Sequence, residues 1–288
     1  MTENIFKKAI ILIKDNLMVI QPLFVGVLII MLIITPLLAN KLTNVSFVFT
    51  LILSVLCLNA FLSGWYNCVK YTVSLKNIVY NQVEEKNEKQ IEILKSFLPG
   101  VGEYMFPITV VFIFYLFLAY VFIDLYRLFA SKMFVINNFP SDFINVVNTA
   151  SQSEIAKYIQ NNFSSQQMHT LLLILACGFV MYFIFSIIVL WFAPAVLYTS
   201  KNPFIAVIES IKFTIKNLGQ SFLIVLVMFL INLCMSFSNI LITNQYLAFI
   251  PMLLSFIYIM YYVVTVFLYY ETKTQNNSID RCECNGEI

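Results

Sequence analysis

The chain has few of the charged residues that keep the surface of a soluble protein hydrated. Of its 288 residues only 11% are Asp, Glu, Lys or Arg, whereas 60% are hydrophobic. Soluble domains carry about 25% charged residues, and a soluble globule of this length could not bury so large an apolar excess. The composition therefore excludes a soluble globule and predicts an integral membrane protein.

Histidine is also scarce, and the six cysteines are scattered. His169, the single histidine, heads an apolar segment with no cluster of Cys, His or carboxylate residues around it, so we interpret it as a polar anchor. The cysteine spacing indicates neither a disulfide framework nor a four-ligand zinc site. Cys282 and Cys284 could bind a soft metal or carry a palmitoyl group, but two thiols near the C-terminus are a weak signal. We predict no cofactor and no metal site.

Ionisable residues are missing from the middle of every long apolar segment. A crossing of the hydrocarbon core takes about 20 apolar residues, and six segments are long enough. The segments are 17–38, 45–69, 104–123, 170–198, 221–242 and 246–270. Proton relays, voltage sensors and most ion-coupled sites need ionisable groups at this depth. The sequence therefore argues against an enzyme or an ion-coupled transporter, and it predicts an all-α polytopic bundle of six spans.

Asparagine and serine are the deepest polar residues in these spans. The candidates are Asn59, Asn232, Ser54 and Ser236. Such side chains commonly hydrogen-bond between membrane helices, which is our first interpretation of Asn59 and Asn232. The alternative is that they line a path for a substrate.

Three charged residues lie at the ends of the third span. Asp124 and Arg127, three residues apart at one end, could form an ion pair at the membrane boundary. Glu103 lies at the other end, so it cannot form one catalytic dyad with them. It follows the segment 99–102, Pro-Gly-Val-Gly, which predicts a tight turn at the membrane surface because it lacks the lysine of a phosphate-binding loop.

A short two-faced helix is predicted immediately before the fifth span. Pro203 is a favourable first helical residue, and four large apolar residues follow on one stripe. They are Phe204, Ile208, Ile211 and Ile215. Lys212 and Lys216 lie beside the stripe, as expected for a helix in the membrane–water interface. The alternative is an ordinary surface helix on a soluble core, for which the flanking spans leave no room.

Similar helices are predicted before two other spans, at 3–17 and, in a shorter form, at 91–98. The first has Phe6, Ile10, Ile13 and Leu17 on its stripe, with Lys7, Lys8 and Lys14 beside it. Aromatic residues mark the same boundaries, since Trp65 and Trp191 end spans and have amphipathic rings suited to the headgroup level. These tryptophans and the lysines of the two longer helices are the predicted membrane-interface residues.

Order and periodicity divide the chain into three repeat-like units, each an interfacial helix followed by two spans. The units are roughly 3–80, 88–199 and 202–271. Together they form a six-span membrane domain, 1–271, which contains a polar loop at 128–167. Residues 272–288 are predicted to be a polar, disordered tail.

Basic residues are distributed unequally between the two sides of the predicted membrane domain. Of the 17 Lys and Arg residues, only Lys41, Arg127, Lys132 and Lys157 fall on the side of the 128–167 loop. This bias predicts that both termini and the three amphipathic helices are cytoplasmic. The net charge of +2 is too small to indicate nucleic acid. The expected partners are the lipid bilayer and other membrane proteins.

The stretch 191–222 resembles a loose group of uncharacterised bacterial six-helix membrane proteins, which includes the membrane domain of some glycerophosphodiester phosphodiesterases. The shared pattern is a span ending in an apolar-Pro turn, a helix of the form A-x-x-x-S-x-x-x-x-x-x-N, and another span. Ala206, Ser210 and Asn217 stand at those positions. In the fused enzymes the chemistry belongs to a separate soluble domain. The resemblance therefore implies a fold and a bacterial inner-membrane location, but no activity.

The sequence leads to three functional hypotheses. The first is a non-catalytic inner-membrane protein that acts as an accessory or lipid-organising component. The second is a transporter or channel for an apolar or amphipathic substrate. The third is a lipid-modifying enzyme, which would depend on Glu103 at the cytoplasmic face. Substrate, partner and oligomeric state stay open.

Overall fold

Helices make up all the regular structure in the part of the chain that the computed structural model describes, residues 2–38, 44–76, 78, 83–136, 139–241 and 249–284. This confirms the predicted all-α class. The helices are α1 Thr2–Asp15, a 3-10 turn Leu17–Val19, α2 Ile20–Leu38, α3 Asn44–Ser74, α4 Val83–Lys95, α5 Phe97–Ile136, α6 Phe143–Thr149, α7 Gln152–Asn162, α8 Ser165–Val189, α9 Phe192–Tyr198, α10 Pro203–Lys216, α11 Leu218–Leu241 and α12 Phe249–Cys284.

Five helical segments of the described residues are long and apolar enough to cross a membrane. They are Ser46–Ser74, Glu84–Val135, Ser165–Tyr198, Leu218–Ser236 and Ile250–Gln275. A sixth is counted if Ile5–Asp15 and Leu17–Leu32, which meet at 84°, form one broken span. The observed architecture is thus a multi-pass bundle of five or six membrane helices, in agreement with the sequence.

The chain divides into two compact bodies. The first, which we call the helical core, consists of Met1–Ile113 and Ile188–Ile288. The second, which we call the hairpin domain, is Phe114–Ile187. The candidate site described below lies in the helical core.

The hairpin domain corrects the loop predicted at 128–167, because α5 continues to Ile136 and α6 and α7 occupy much of the remainder. Aromatic packing holds the short helices together, and the ring centroids of Phe143 and Phe163 are 4.9 Å apart. Helix α7 begins at a capping box in which the N–H and the hydroxyl of Ser151 donate to the carboxylate of Glu154, each at 2.7 Å. These two bonds hold the pKa of Glu154 below its usual value. Local packing and capping thus order a stretch whose composition is polar.

The predicted turn at 99–102 is wrong, because these residues lie in the first two turns of α5. Proline is tolerated there, since the first N–H groups of a helix have no intrahelical acceptor. Gly100 serves close packing: an added Cβ would lie 2.4 Å from Asn67 Cβ and 3.1 Å from the backbone oxygen of Ser63. Helix α5 therefore approaches α3 at a distance that leaves no room for a side chain at position 100.

Helix α12 extends past the predicted sixth span and corrects the tail expected from residue 272, because the helix ends only at Cys284. Residues 285–288 lie outside the described residues, as do residues 243–245 between the fifth and sixth predicted spans. Near the start of the extension, the carboxylate of Glu271 forms an ion pair with Lys76, which follows the end of α3. This pair ties α12 to α3 at the point where the predicted span ends.

Helices α1, α4 and α10 are each joined to the following helical segment by a single polar residue, which is Asn16, Ser96 or Asn217. In all three the backbone N–H donates to the carbonyls three and four residues earlier, at 3.0–3.2 Å. The side chain also donates to a carbonyl of the preceding turn, at 2.7–3.0 Å. The three junctions share one arrangement, as a repeat would require, although the division into three units stays a prediction.

The side of α1 that is buried in the protein shares only Ile13 with the predicted lipid-facing stripe. The buried side chains are Ile5, Ala9, Leu12, Ile13 and the junction residue Asn16. Of the predicted stripe, Ile10 and Leu17 are exposed. The helix packs on α12, and the small residue Ala9 on its covered side is fully buried. It is two-faced as predicted, but close packing selects the side with the smaller residue, and large apolar side chains are left outward.

Candidate functional site

Helix α10 directs its large apolar residues away from the protein. Asn202 caps the helix by accepting a hydrogen bond from the N–H of Phe204 at 3.1 Å, and Pro203 occupies its first position. The predicted stripe is outward: Phe204, Ile208 and Ile215 are 72%, 53% and 71% exposed. A water-exposed stripe of this size would be unfavourable, so these side chains suit contact with lipid.

The inner side of α10 carries small residues instead. Ala206 and Ser210 are fully buried, and Thr214 is nearly so. The side chain of Asn217, at the end of the helix, accepts a hydrogen bond from the hydroxyl of Tyr269 at 3.2 Å. The three positions that carry the family resemblance, Ala206, Ser210 and Asn217, thus contribute to packing α10 against the core.

The lysines predicted at the interface are exposed on α1 and α10. They are Lys7, Lys8, Lys14, Lys212 and Lys216. Lys212 also forms an i,i+3 ion pair with Glu209 at 2.7 Å. Exposed lysines beside an outward apolar stripe are the arrangement of a helix that lies at an anionic membrane surface.

Trp65 and Trp191 are buried, which corrects their expected contact with headgroups. Their exposed fractions are 1% and 0%. The indole of Trp65 donates to the backbone oxygen of Val19 at 3.1 Å, and that of Trp191 donates to Ser221 Oγ at 2.9 Å. Sequence reasoning detected a boundary position but could not detect that other helices cover it.

A polar group that the sequence analysis missed lies where α3, α5 and α9 meet; we call Lys70, Tyr104 and Tyr198 the boundary cluster. The ammonium of Lys70 donates to Tyr104 Oη at 3.0 Å and to the backbone oxygen of Leu197 at 2.8 Å. It also lies 5.3 Å and 5.6 Å from the ring centroids of Tyr104 and Tyr198, within range for cation–π attraction. The sequence signal was a lysine one turn beyond the aromatic end of a span.

Two ion pairs flank the boundary cluster. Lys201 lies 2.9 Å from Glu103, and Lys76 pairs with Glu271. Glu103, on which the hypothesis of a lipid-modifying enzyme depends, therefore forms an ion pair with a lysine. The ion pair predicted between Asp124 and Arg127 is wrong: both are exposed within α5, and no ion pair joins them in the described structure.

We expect Glu271→Gln to destabilise the protein by about 2 kcal/mol, because it leaves the partly buried ammonium of Lys76 without its carboxylate. The matched control is Glu209→Gln, which breaks the exposed pair with Lys212 and should cost at most about 0.5 kcal/mol. Reversible unfolding in mixed micelles measures both. Equal losses would show that the Lys76 pair has no special role.

The deep polar residues do not form the expected helix-to-helix bonds. Ser54 and Ser236 donate to backbone oxygens of their own helices, those of Thr50 and Asn232. Asn232 is exposed, whereas Asn59 is fully buried and its amide atoms have no hydrogen-bond partner in the described part of the chain. One residue faces outward and the other inward, so they do not line a common path.

Other predicted candidates add little. His169 is exposed at the start of α8, and the side chains of Cys282 and Cys284 lie outside what the structure describes.

No protein-family model, curated protein or solved structure matches this chain. The resemblance drawn from the sequence stays a prediction.

Proposed function

We propose that this protein is a non-catalytic membrane component that organises anionic lipid around its amphipathic helices. The observation that carries the proposal is the inverted burial of α10, whose large apolar residues face outward while Ala206 and Ser210 face the core. Outward Phe and Ile side chains insert among acyl chains, and neighbouring lysines attract anionic headgroups. The lack of ionisable residues in the middle of the spans supports the non-catalytic part.

The orientation belongs to the same proposal. The lysine-rich side of the sequence would face the cytoplasm of a bacterial cell, with both termini on that side. The inner leaflet is the more anionic surface that juxtamembrane lysines favour. Helices α1 and α10 would therefore lie on the cytoplasmic surface.

The proposal predicts a selectivity for anionic lipid that depends on the lysines of α10. In proteoliposomes, spin-labelled phosphatidylglycerol should be immobilised by the protein more strongly than spin-labelled phosphatidylcholine, as read from electron paramagnetic resonance spectra. Replacing both Lys212 and Lys216 by Gln should lower this preference by roughly tenfold or more, since each lysine near an anionic surface contributes about 1 kcal/mol. High salt should have the same effect.

The matched control is the pair Lys132→Gln and Lys157→Gln, which removes the same charge from exposed positions outside the amphipathic helices. This control should keep most of the preference. Equal immobilisation of the two lipids by the unmodified protein would contradict the proposal. An equal loss in the control would assign any selectivity to net charge instead of α10.

A further inference from the structure

We propose that the boundary cluster is a binding site for a phosphate oxyanion, supplied by the headgroup of an anionic phospholipid, with Lys70 and Tyr198 as its ligands. The source of the phosphate rests on the lipid-organising function proposed above, whereas the site itself rests on the geometry of the cluster.

Lys70 provides a cation that is not directly neutralised. Its ammonium is half-buried and contacts two neutral acceptors, Tyr104 Oη and the backbone oxygen of Leu197. The carboxylates of Glu103 and Glu271 attract it from nearby, and the hydroxyl of Tyr104 donates a hydrogen bond to Glu103, but each carboxylate forms its ion pair with another lysine. In the described residues no carboxylate oxygen pairs directly with Lys70. A partly desolvated charge in such surroundings favours an anionic ligand.

Tyr198 provides a donor without an acceptor. Its hydroxyl is buried and has no hydrogen-bond partner among the described residues. Buried hydroxyls normally find a partner, and the ring of Tyr198 lies 5.6 Å from the ammonium of Lys70. An oxyanion bound at this point would accept a charge-assisted hydrogen bond from the hydroxyl and supply the missing countercharge to Lys70.

The position in the chain connects the cluster with lipid. Tyr198 ends α9, and residues 199–202 lead directly into α10, whose apolar side faces outward. Lys201, in this link, is 66% exposed at its side chain. In the proposed site, a phospholipid whose acyl chains lie against α10 brings its phosphate to this link. Free inorganic phosphate has the same chemistry and is the other source to be tested.

A purely structural role for Lys70 makes a different prediction. The bond from Lys70 to Leu197 would stabilise the last turn of α9 whether or not an anion binds. The hydroxyl of Tyr198 takes no part in that contact. Tyr198→Phe therefore separates anion binding from the structural role of Lys70.

The test is the thermal unfolding midpoint of the full chain in a neutral detergent. It is titrated with short-chain phosphatidylglycerol, with short-chain phosphatidylcholine as the neutral amphiphile, and with sodium phosphate against sodium chloride of equal ionic strength. Phosphatidylglycerol should raise the midpoint more than phosphatidylcholine does. In Tyr198→Phe the half-saturating concentration should rise roughly tenfold, the usual effect of losing one hydrogen bond to a charged group. Tyr182→Phe, which removes an exposed hydroxyl from the hairpin domain, should leave it unchanged.

Further variants and outcomes complete the test. Without lipid, Tyr198→Phe should unfold at the same or a higher temperature, because it removes a buried hydroxyl that has no partner. Lys70→Gln should lower the midpoint and abolish the response; if it does not fold, Tyr198→Phe alone decides. A response to inorganic phosphate that Tyr198→Phe weakens would support the oxyanion site. If phosphatidylglycerol then gave no response, the lipid source of the phosphate would be overturned.

Two results would overturn the site. One is an equal response to phosphatidylcholine and phosphatidylglycerol together with no response to inorganic phosphate, and the other is a phosphatidylglycerol response that Tyr198→Phe leaves intact. Tyr198→Phe keeps Lys212 and Lys216, so the site can fail while the lipid preference of α10 persists. The reverse result, a phosphate response without selectivity from α10, would separate the two proposals equally well.

Discussion

Replacing Trp191 by alanine should lower the free energy of unfolding by about 3–5 kcal/mol, among the largest effects of any single change in this chain. The ring is fully buried and packs against Phe213, Tyr269 and Tyr270, with centroids 5.0–6.1 Å away. Alanine would leave a cavity that rigid helices cannot close. Reversible unfolding in mixed micelles, followed by circular dichroism, measures the loss.

Two comparisons show whether packing is the cause. Trp191→Phe keeps an aromatic ring but removes the bond to Ser221 Oγ, and should cost about 1–2 kcal/mol. Phe106→Ala removes a ring that is 73% exposed on α5, and should change stability by at most about 0.5 kcal/mol. Lipid tails are as apolar as the side chains they replace, so outward residues contribute little. A small effect of Trp191→Ala would show that the aromatic cluster is not tightly packed.

Gly100→Ala should destabilise the protein by about 2 kcal/mol despite the higher helix propensity of alanine. The new Cβ would overlap Asn67 Cβ at 2.4 Å and press on the backbone oxygen of Ser63, which cannot move without moving α3. The shift would also strain the bond from Asn67 to the backbone oxygen of Ser96, now 2.8 Å long. The same unfolding measurement applies.

Gly102→Ala is the matched control, two residues along the same helix. No heavy atom lies within 4 Å of an added Cβ there, so the change should be neutral or stabilise by up to about 1 kcal/mol. In an Asn67→Gly background, Gly100→Ala should cost less, because one of its two close neighbours is gone. If both glycine substitutions had the same effect, the contact between α5 and α3 would not be the cause.

These two predictions illustrate what patterns in a sequence leave out. Gly100 and Gly102 are the same residue type in the predicted turn. A Cβ added at Gly100 would contact another helix, whereas a Cβ added at Gly102 would have no heavy atom within 4 Å. The tryptophans were predicted to mark span ends, but their burial depends on helices distant in sequence. The capping box at Ser151 and Glu154 was a missed feature with a local signal, since S-x-x-E is visible in the sequence.

The candidate site likewise contains some features that the sequence predicts and others that only the tertiary structure shows. The outward stripe of α10 was predictable, because Phe204, Ile208, Ile211 and Ile215 recur at helical spacing. On α1 the same spacing predicted the outward residues Ile10 and Leu17, but Ile13 of that stripe is buried, because burial depends on contacts with distant segments such as α12. The boundary cluster brings together residues 70, 104 and 198, and no local pattern links positions so far apart.

Composition and periodicity by themselves determined that this chain is an all-helical membrane protein with two-faced helices, because a bilayer requires long apolar helices whatever their partners. Tertiary structure decided which helix sides are covered, where helices end and which charges meet. Those outcomes depend on close contact between distant segments: a missing Cβ at Gly100, a buried indole at Trp191 and an ammonium held between two tyrosines at Lys70. Such contacts act over a few ångströms in space, and sequence distance does not record them.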